Sequence, residues 1–259
     1  RSTQVSLESS GADGFVSYAA PTLDGAAPLS GAGFADAATA GNQVITINGT
    51  NFGPAGHSDV QVVYGPPSNR NLYTTDPCTV KAPSGGAVFQ EIECRTVAGV
   101  GNDLKWKVTV GNQATGLSNK ESAYIKPVIS GLSGAAAAEL GSTTQGDVII
   151  SIAGSNFGPP DGETDGNLVV TYGADGTGYN ATNCVVKDQD EIECRTQPGV
   201  GKDLKWKVNI GNQPSEVLDS PTTRYGDPTV TGITAGPFNT IGNEAIVITG
   251  TNFGVGSEQ

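Results

Sequence analysis

Gly199–Val208 reads GVGKDLKWKV, and Gly99–Val108 reads GVGNDLKWKV. In the later copy Leu204, Trp206, Val208 and Ile210 alternate with Lys205, Lys207 and Asn209. Successive side chains of a β-strand point to opposite faces, so this alternation predicts a strand with its Trp in a core and its lysines in water. Just upstream, Glu-Cys-Arg-Thr occurs at 93–96 and again at 193–196. Both blocks recur after 100 residues. Solenoid repeats are shorter, roughly 20–50 residues, whereas a period near 100 is the size of a whole small domain. The chain therefore reads as whole domains in tandem.

A second motif marks where each repeat begins. VITINGTNFGP (Val44–Pro54), VIISIAGSNFGP (Val148–Pro159) and IVITGTNFG (Ile246–Gly254) place Asn-Phe-Gly at 51–53, 156–158 and 252–254. The spacings are 105 and 96 residues, so loops vary while the frame holds. The reading divides the chain into complete repeats at 24–126 and 127–226, with the opening strands of a further repeat at 227–259. Residues 1–23 are read as the last strand of a preceding repeat, because Tyr18 precedes Pro21 much as Tyr124 precedes Pro127 and Tyr225 precedes Pro228. The chain is thus expected to be an excerpt of a longer array. The junctions Tyr124–Gly131 and Tyr225–Gly232 are short and carry a proline, which predicts restricted hinge motion.

Within the second repeat, DVIISIAG, NLVVTY, a pair of strands around KDQD, and LKWKVNI are separated by loops rich in Gly, Pro, Asp and Asn. The first repeat has the same elements, with a longer insert between its cysteines. About seven short strands with a buried Trp predict a two-sheet antiparallel sandwich. The 37 glycines, 15 prolines and absence of Met fit many turns and few helices. The formal charge of −12 disfavours nucleic acid as a partner, since phosphate recognition needs a basic footprint. No apolar run approaches the ~20 residues of a membrane-crossing helix.

Four cysteines fall as one pair per repeat, Cys78 with Cys94 and Cys184 with Cys194. Equivalent pairs in duplicated domains predict one disulfide each and an oxidising compartment. Zinc, the rival reading, would need two further ligands per repeat, and His57 is the one histidine.

The NGTNFGP, GSNFGPP and TGTNFG motifs, the KPVISGL and DPTVTGI starts, the paired cysteines and the strand ending in Gly-Asn-Gln resemble the IPT/TIG domain family. That resemblance implies an immunoglobulin-like β-sandwich and does not imply catalysis. Members of the family serve as spacers, ligand-binding ectodomains, dimerisation modules of DNA-binding proteins, or accessory domains of starch-degrading enzymes. The GVGxDLKWKV block looks closest to tandem arrays in large secreted or surface proteins. The fold expected is therefore all-β, tandem immunoglobulin-like antiparallel β-sandwiches of IPT/TIG type.

Candidate chemistry is sparse. His57 sits in a Gly-rich loop without the Ser elbow a hydrolytic triad needs, and is read as a loop residue. Glu91 with Glu93 and Glu191 with Glu193 flank an Ile, which puts them on a solvated sheet face rather than in an acid–base pair. Asp161, Glu163 and Asp165, followed by Gly166, resemble the opening of a calcium loop, but Tyr172 stands where the closing Glu would be. Calcium is the one candidate cation, and no cofactor is expected. Phe52, Phe157 and Phe253 are expected to plug the sandwich end, with the following Gly in a conformation other residues avoid. Two sequons, Asn48-Gly-Thr and Asn180-Ala-Thr, make Asn48 and Asn180 candidate glycosylation sites, Asn180 in a loop and Asn48 near a strand end. TTDP, EVLDSPTT and GAAPLS are candidate O-linked stretches.

The expected function is non-enzymatic: an extracellular or cell-surface array forming a rod or fibril. Its partners would be copies of itself, or the same chain continuing as a filament, with covalent glycans. The alternatives are a receptor or adhesin ectodomain gripping protein or glycan, or accessory domains of a carbohydrate-active enzyme. A binding module would show an exposed apolar or aromatic patch on one repeat only.

Overall fold

In the computed structural model, residues 17–75, 77–82, 89–134, 144–160, 168–234 and 236–255 are described. Every regular element among them is a β-strand. The chain divides into two compact units with the main boundary between Lys126 and Pro127.

The first repeat contains β1 (Thr22–Leu23), β2 (Leu29–Ser30), β3 (Val44–Thr50), β4 (Val60–Gly65), β5 (Tyr73–Thr74), β6 (Thr79–Val80), β7 (Gln90–Arg95), β8 (Lys105–Val110) and β9 (Gln113–Ala114). One sheet runs β1-β3-β7-β6 with β2 also on β3; the other runs β5-β4-β8-β9. All pairings between these strands are antiparallel. Ile45, Ile47, Ile92 and Cys94 of one sheet meet Val62, Tyr64, Trp106 and Val108 of the other in a single buried cluster. Strand β8 shows why the sequence specifies this: Trp106, Val108 and Val110 are buried and Lys105, Lys107 and Thr109 are not. The β8–β9 hairpin turns on Gly111 and Asn112, both at positive φ (53° and 66°), as a two-residue primed turn demands. Ala37 bridges Tyr124 in parallel, tying the entry loop to the last segment of the repeat.

The second repeat contains β10 (Val128–Ser133), β11 (Ile149–Ser155), β12 (Val169–Gly173), β13 (Tyr179–Asn180), β14 (Thr182–Asp188), β15 (Glu191–Arg195), β16 (Leu204–Ile210), β17 (Gln213–Pro214) and β18 (Leu218–Thr223). Its sheets run β10-β11-β15-β14 and β13-β12-β16-β17, with β18 also on β16. The registers repeat those of the first domain: Ile152↔Ile192 matches Ile47↔Ile92, and Tyr172↔Trp206 matches Tyr64↔Trp106. A last pair, β19 (Thr229–Ile233) and β20 (Ile248–Thr251), forms a two-stranded antiparallel sheet.

Thr22 and Leu23 pair with Thr50 and Gly49 of β3, so the first repeat's sheet begins two residues ahead of the expected boundary at 24. Pro21 stands before β1 as Pro127 stands before β10 and Pro228 before β19. Proline fixes φ and lacks a donor, which suits the residue entering an edge strand. Residues 1–16 of that opening segment lie outside the described residues.

The Asn-Phe-Gly motif builds a corner at the end of β3 and β11. Phe52 and Phe157 are fully buried, and Gly53 and Gly158 adopt φ of 95° and 88°. The preceding Asn51, Asn156 and Asn252 also lie at positive φ, 61°, 63° and 61°, where Asn is among the few tolerated side chains. The Asn51 amide donates to Ala20 O at 2.9 Å and that of Asn252 to Asp227 O at 3.0 Å, fastening the corner to the chain entering the repeat. The Phe ring then covers Gly49 or Gly154. A Cβ on Gly154 would stand 2.1 Å from Val128 O and 2.3 Å from Phe157 Cζ. We expect Gly154→Ala to destabilise the second repeat by about 1–3 kcal/mol through overpacking. Urea unfolding followed by circular dichroism checks it; an unchanged midpoint would mean that strand and ring separate freely.

Candidate functional site

In each repeat a group of tyrosines surrounds the loop that carries Gly-Val-Gly. In the first repeat, the Tyr64 and Tyr124 hydroxyls lie 2.6 Å apart. Tyr124 donates to Val97 O at 2.7 Å, while Val97 N donates to the Tyr64 hydroxyl at 3.1 Å. Tyr73 donates to Val100 O at 2.9 Å and accepts from Val100 N at 3.1 Å. Trp106 stacks on Tyr64 at 4.0 Å and donates from Nε1 to Ser122 Oγ at 2.8 Å.

The second repeat builds the same arrangement. The Tyr172 and Tyr225 hydroxyls are 2.7 Å apart, Tyr225 donates to Gln197 O at 2.5 Å, and Gln197 N donates to Tyr172 at 2.8 Å. Tyr179 holds Val200 through both of its backbone groups, at 2.9 and 3.1 Å. Trp206 stacks on Tyr172 at 4.4 Å and donates to Thr223 Oγ1 at 2.9 Å. Gly99 and Gly199 sit flat against these rings: an added Cβ would come 2.7 Å from Tyr73 or Tyr179. These hydroxyls spend their hydrogen bonds on backbone and on one another. The arrangement is a latch that fixes a loop to the core.

Burial, reinforced by the neighbouring Tyr64, pushes the Tyr124 hydroxyl far above the ordinary tyrosine value of 10.0. Burial likewise raises Tyr172 and Tyr225. Such groups are neutral in the fold and ionise once unfolded. The unfolded chain therefore loses protons first as pH rises, and stability present below about pH 10 falls above it. We expect each raised tyrosine to steepen that decline by up to about 1.4 kcal/mol per pH unit. Denaturation midpoints measured through this alkaline range check it. Tyr124→Phe should flatten the slope, and an identical slope in that variant would refute the assignment.

The structure joins Cys78 to Cys94 and Cys184 to Cys194, with Cα atoms 4.4 and 4.1 Å apart. Cys184 and Cys194 lie on the neighbouring strands β14 and β15, and Cys78, one residue ahead of β6, meets Cys94 of β7. Cys184 falls in an irregular stretch of β14, between Thr182↔Arg195 and Val185↔Glu193, where Asn183 takes φ of 49°. Glu91, Glu93, Glu191 and Glu193 alternate with buried Ile92, Cys94, Ile192 and Cys194 and lie on the outer face. Lys81 pairs with Glu93 at 3.0 Å in solvent. His57 is half-buried against Gly53 and bonds through its backbone to Pro54 O and Val80 N.

Asn48 lies within β3, and its Nδ2 donates to Ala27 O at 2.9 Å. Asn180 is not in a loop as expected: it belongs to β13, because Tyr179 beside it is held by Val200 and lies along β12. Asp161, Glu163 and Asp165 lie outside the described residues, and no group of three or more candidate metal ligands occurs among those described. No helix among the described residues is long and apolar enough to cross a membrane.

Residues 136–225, most of the second repeat, match the model of the IPT/TIG domain family. Such domains are typically non-enzymatic immunoglobulin-like modules. Among solved structures the chain is similar to the plexin A4 extracellular region at 16% identity and a TM-score of 0.34, covering 82% of this chain and 16% of that one. It is also similar to SGBP-B, from a complex xyloglucan utilization locus in Bacteroides uniformis, at 15% identity and a TM-score of 0.27, covering 78% of this chain and 49% of that one. The chain thus spans less than half the length of either. No curated protein matches it.

Proposed function

We propose that the chain is a non-enzymatic structural segment of an extracellular array, with successive IPT/TIG-like repeats forming a rod or fibril. The observation that carries this reading is the duplication of the tyrosine latch and tryptophan core, which hold Val97 in the first repeat and Gln197 in the second in the same way. The described hydroxyls of both latches bond to backbone and to one another.

A third copy of the opening hairpin supports the array. In it Thr229↔Thr251 and Val230↔Gly250 repeat Val128↔Ser155 and Ile129↔Gly154, with the same shift of register after the second pair. Its apolar positions differ from those of the second repeat only in being uncovered. Val230, Ile246, Ile248 and Phe253 are 65%, 53%, 53% and 52% exposed, against 9% for Ile129 and 0% for Ile150, Ile152 and Phe157. Among the described residues of the two repeats, by contrast, the exposed large apolar side chains are aliphatic apart from Phe89. Two disulfides suit an oxidising exterior, and the charge of −12 keeps such surfaces soluble.

The test is location. Gold-labelled antibody against this segment is expected to decorate fibres or stalks outside the cell at many points along their length. Label confined to the cytoplasm, or to a single tip of each structure, would overturn the reading and favour a receptor or enzyme accessory.

A further inference from the structure

We propose that Asn180 carries an N-linked glycan and that Asn48 does not. The inference rests on the extracellular reading above. It starts from β13, the outer strand of the sheet β13-β12-β16-β17. One side of this two-residue strand pairs with β12, through Tyr172↔Tyr179 and Thr171↔Asn180, and the other side is an open edge. Side chains alternate along a strand. Tyr179 turns inward, its hydroxyl bonded to Val200, so Asn180 turns outward. Asn180 is exposed and its side-chain amide makes no hydrogen bond among the described residues. Thr182, the hydroxyl residue of the sequon, is exposed as well. A bulky, hydrated substituent at this point would extend into solvent without displacing any described contact.

Asn48 offers the same three-residue pattern in a different setting. It lies within β3, which is paired on one side with β1 and β2 and on the other with β7. Its backbone N–H donates to Pro28 O, its backbone O accepts from Asp24 N, and Nδ2 donates to Ala27 O. The segment 24–28 is therefore laced to Asn48 by three bonds. A sugar on Nδ2 would have to stand where that segment passes.

The chemistry is a transfer from an activated glycosyl diphosphate by the cell's glycosyltransferase. Nδ2 bonds to the anomeric carbon, the bond from that carbon to the diphosphate oxygen breaks, the diphosphate leaves with the electron pair, and the amide gives up one proton. On the folded chain the glycan would stand over an open strand edge, where unpaired backbone groups otherwise invite another strand. The first repeat provides an internal comparison: Thr74 occupies the equivalent register, Val63↔Thr74, and has no amide to modify.

Native material, digested and treated with peptide-N-glycosidase in heavy-oxygen water, reads the outcome by mass spectrometry. The expected result is labelled Asp at 180 and unmodified Asn at 48. The same digest reports whether the four cysteines are oxidised. An unlabelled Asn180 in material with both disulfides formed would overturn this proposal and leave the extracellular reading standing. Reduced cysteines together with an unlabelled Asn180 would overturn both. Label at Asn48 equal to that at Asn180 would overturn the geometric distinction. In a secreted recombinant chain, Asn180→Gln removes the acceptor amide at an exposed position. It is expected to abolish the glycan mass with an unchanged unfolding midpoint, and a retained mass would count against Asn180.

Discussion

Replacing Trp206 with Ala is expected to destabilise the second repeat by about 3–5 kcal/mol, the largest effect of any single substitution considered. The indole is fully buried, stacks on Tyr172 at 4.4 Å with planes 12° apart, and donates to Thr223 at 2.9 Å. Truncation would open a cavity between the two sheets and remove the support under the tyrosine latch. A domain of this size holds roughly 5–15 kcal/mol in all, so the loss is a large share of it. The chain has two tryptophans, and Trp106 lies in the first repeat. In the variant, circular dichroism follows all the strands while the remaining fluorescence follows the first repeat. The expected record is an early loss of part of the strand signal. Trp206→Phe should recover part of the deficit by keeping a stacked ring. A midpoint within error of the parent in the Ala variant would contradict the packing described.

The second large effect is expected from removing a disulfide. Cys78 and Cys94 close a loop of 16 residues, and Cys184 and Cys194 one of 10. Opening either bond frees the unfolded chain, which for loops near this size is about 2–4 kcal/mol. Double replacement of Cys78 and Cys94 by Ala is expected to lower the unfolding free energy of the first repeat by that amount. The bonds should also differ in access. Cys78 and Cys94 are each 1% exposed, while Cys184 is half-buried on the edge strand β14. Under mild reductant, thiol alkylation followed by peptide mapping should find Cys184 and Cys194 modified first. Reversed order would show that the edge of the second repeat is better covered than its strand order implies.

Much of this fold was legible because its signals are local and repeated. The alternation of LKWKVNI sets the face of β16, and the paired cysteines sit where a hairpin brings them together. What was not legible depends on contacts distant in sequence. The tyrosines marked domain ends only by their distance from a proline. Their role comes from pairing Tyr64 with Tyr124, 60 residues apart, and Tyr172 with Tyr225, 53 apart. The repeated Gly-Val-Gly was the available signal, since a glycine is needed where the loop lies against the rings. In Asn-Phe-Gly the glycine announces a special backbone, whereas the asparagine, also at positive φ, does not. Asn tolerates the left-handed region only as a minority conformation, so its spelling alone does not announce one. Asn180 reads as a loop residue in the sequence because its two-residue strand leaves almost no alternation to read. The acidic stretch from Asp161 to Asp165 remains a sequence-based expectation.

The most direct test of an extended array is cryo-electron microscopy of the native full-length material. The expected result is long fibres with an axial repeat of one or two domain lengths, each repeat a β-sandwich. Glycan density would stand on the β13 edge of the second. Isolated globular particles, or short rods each ending in a different domain, would contradict it.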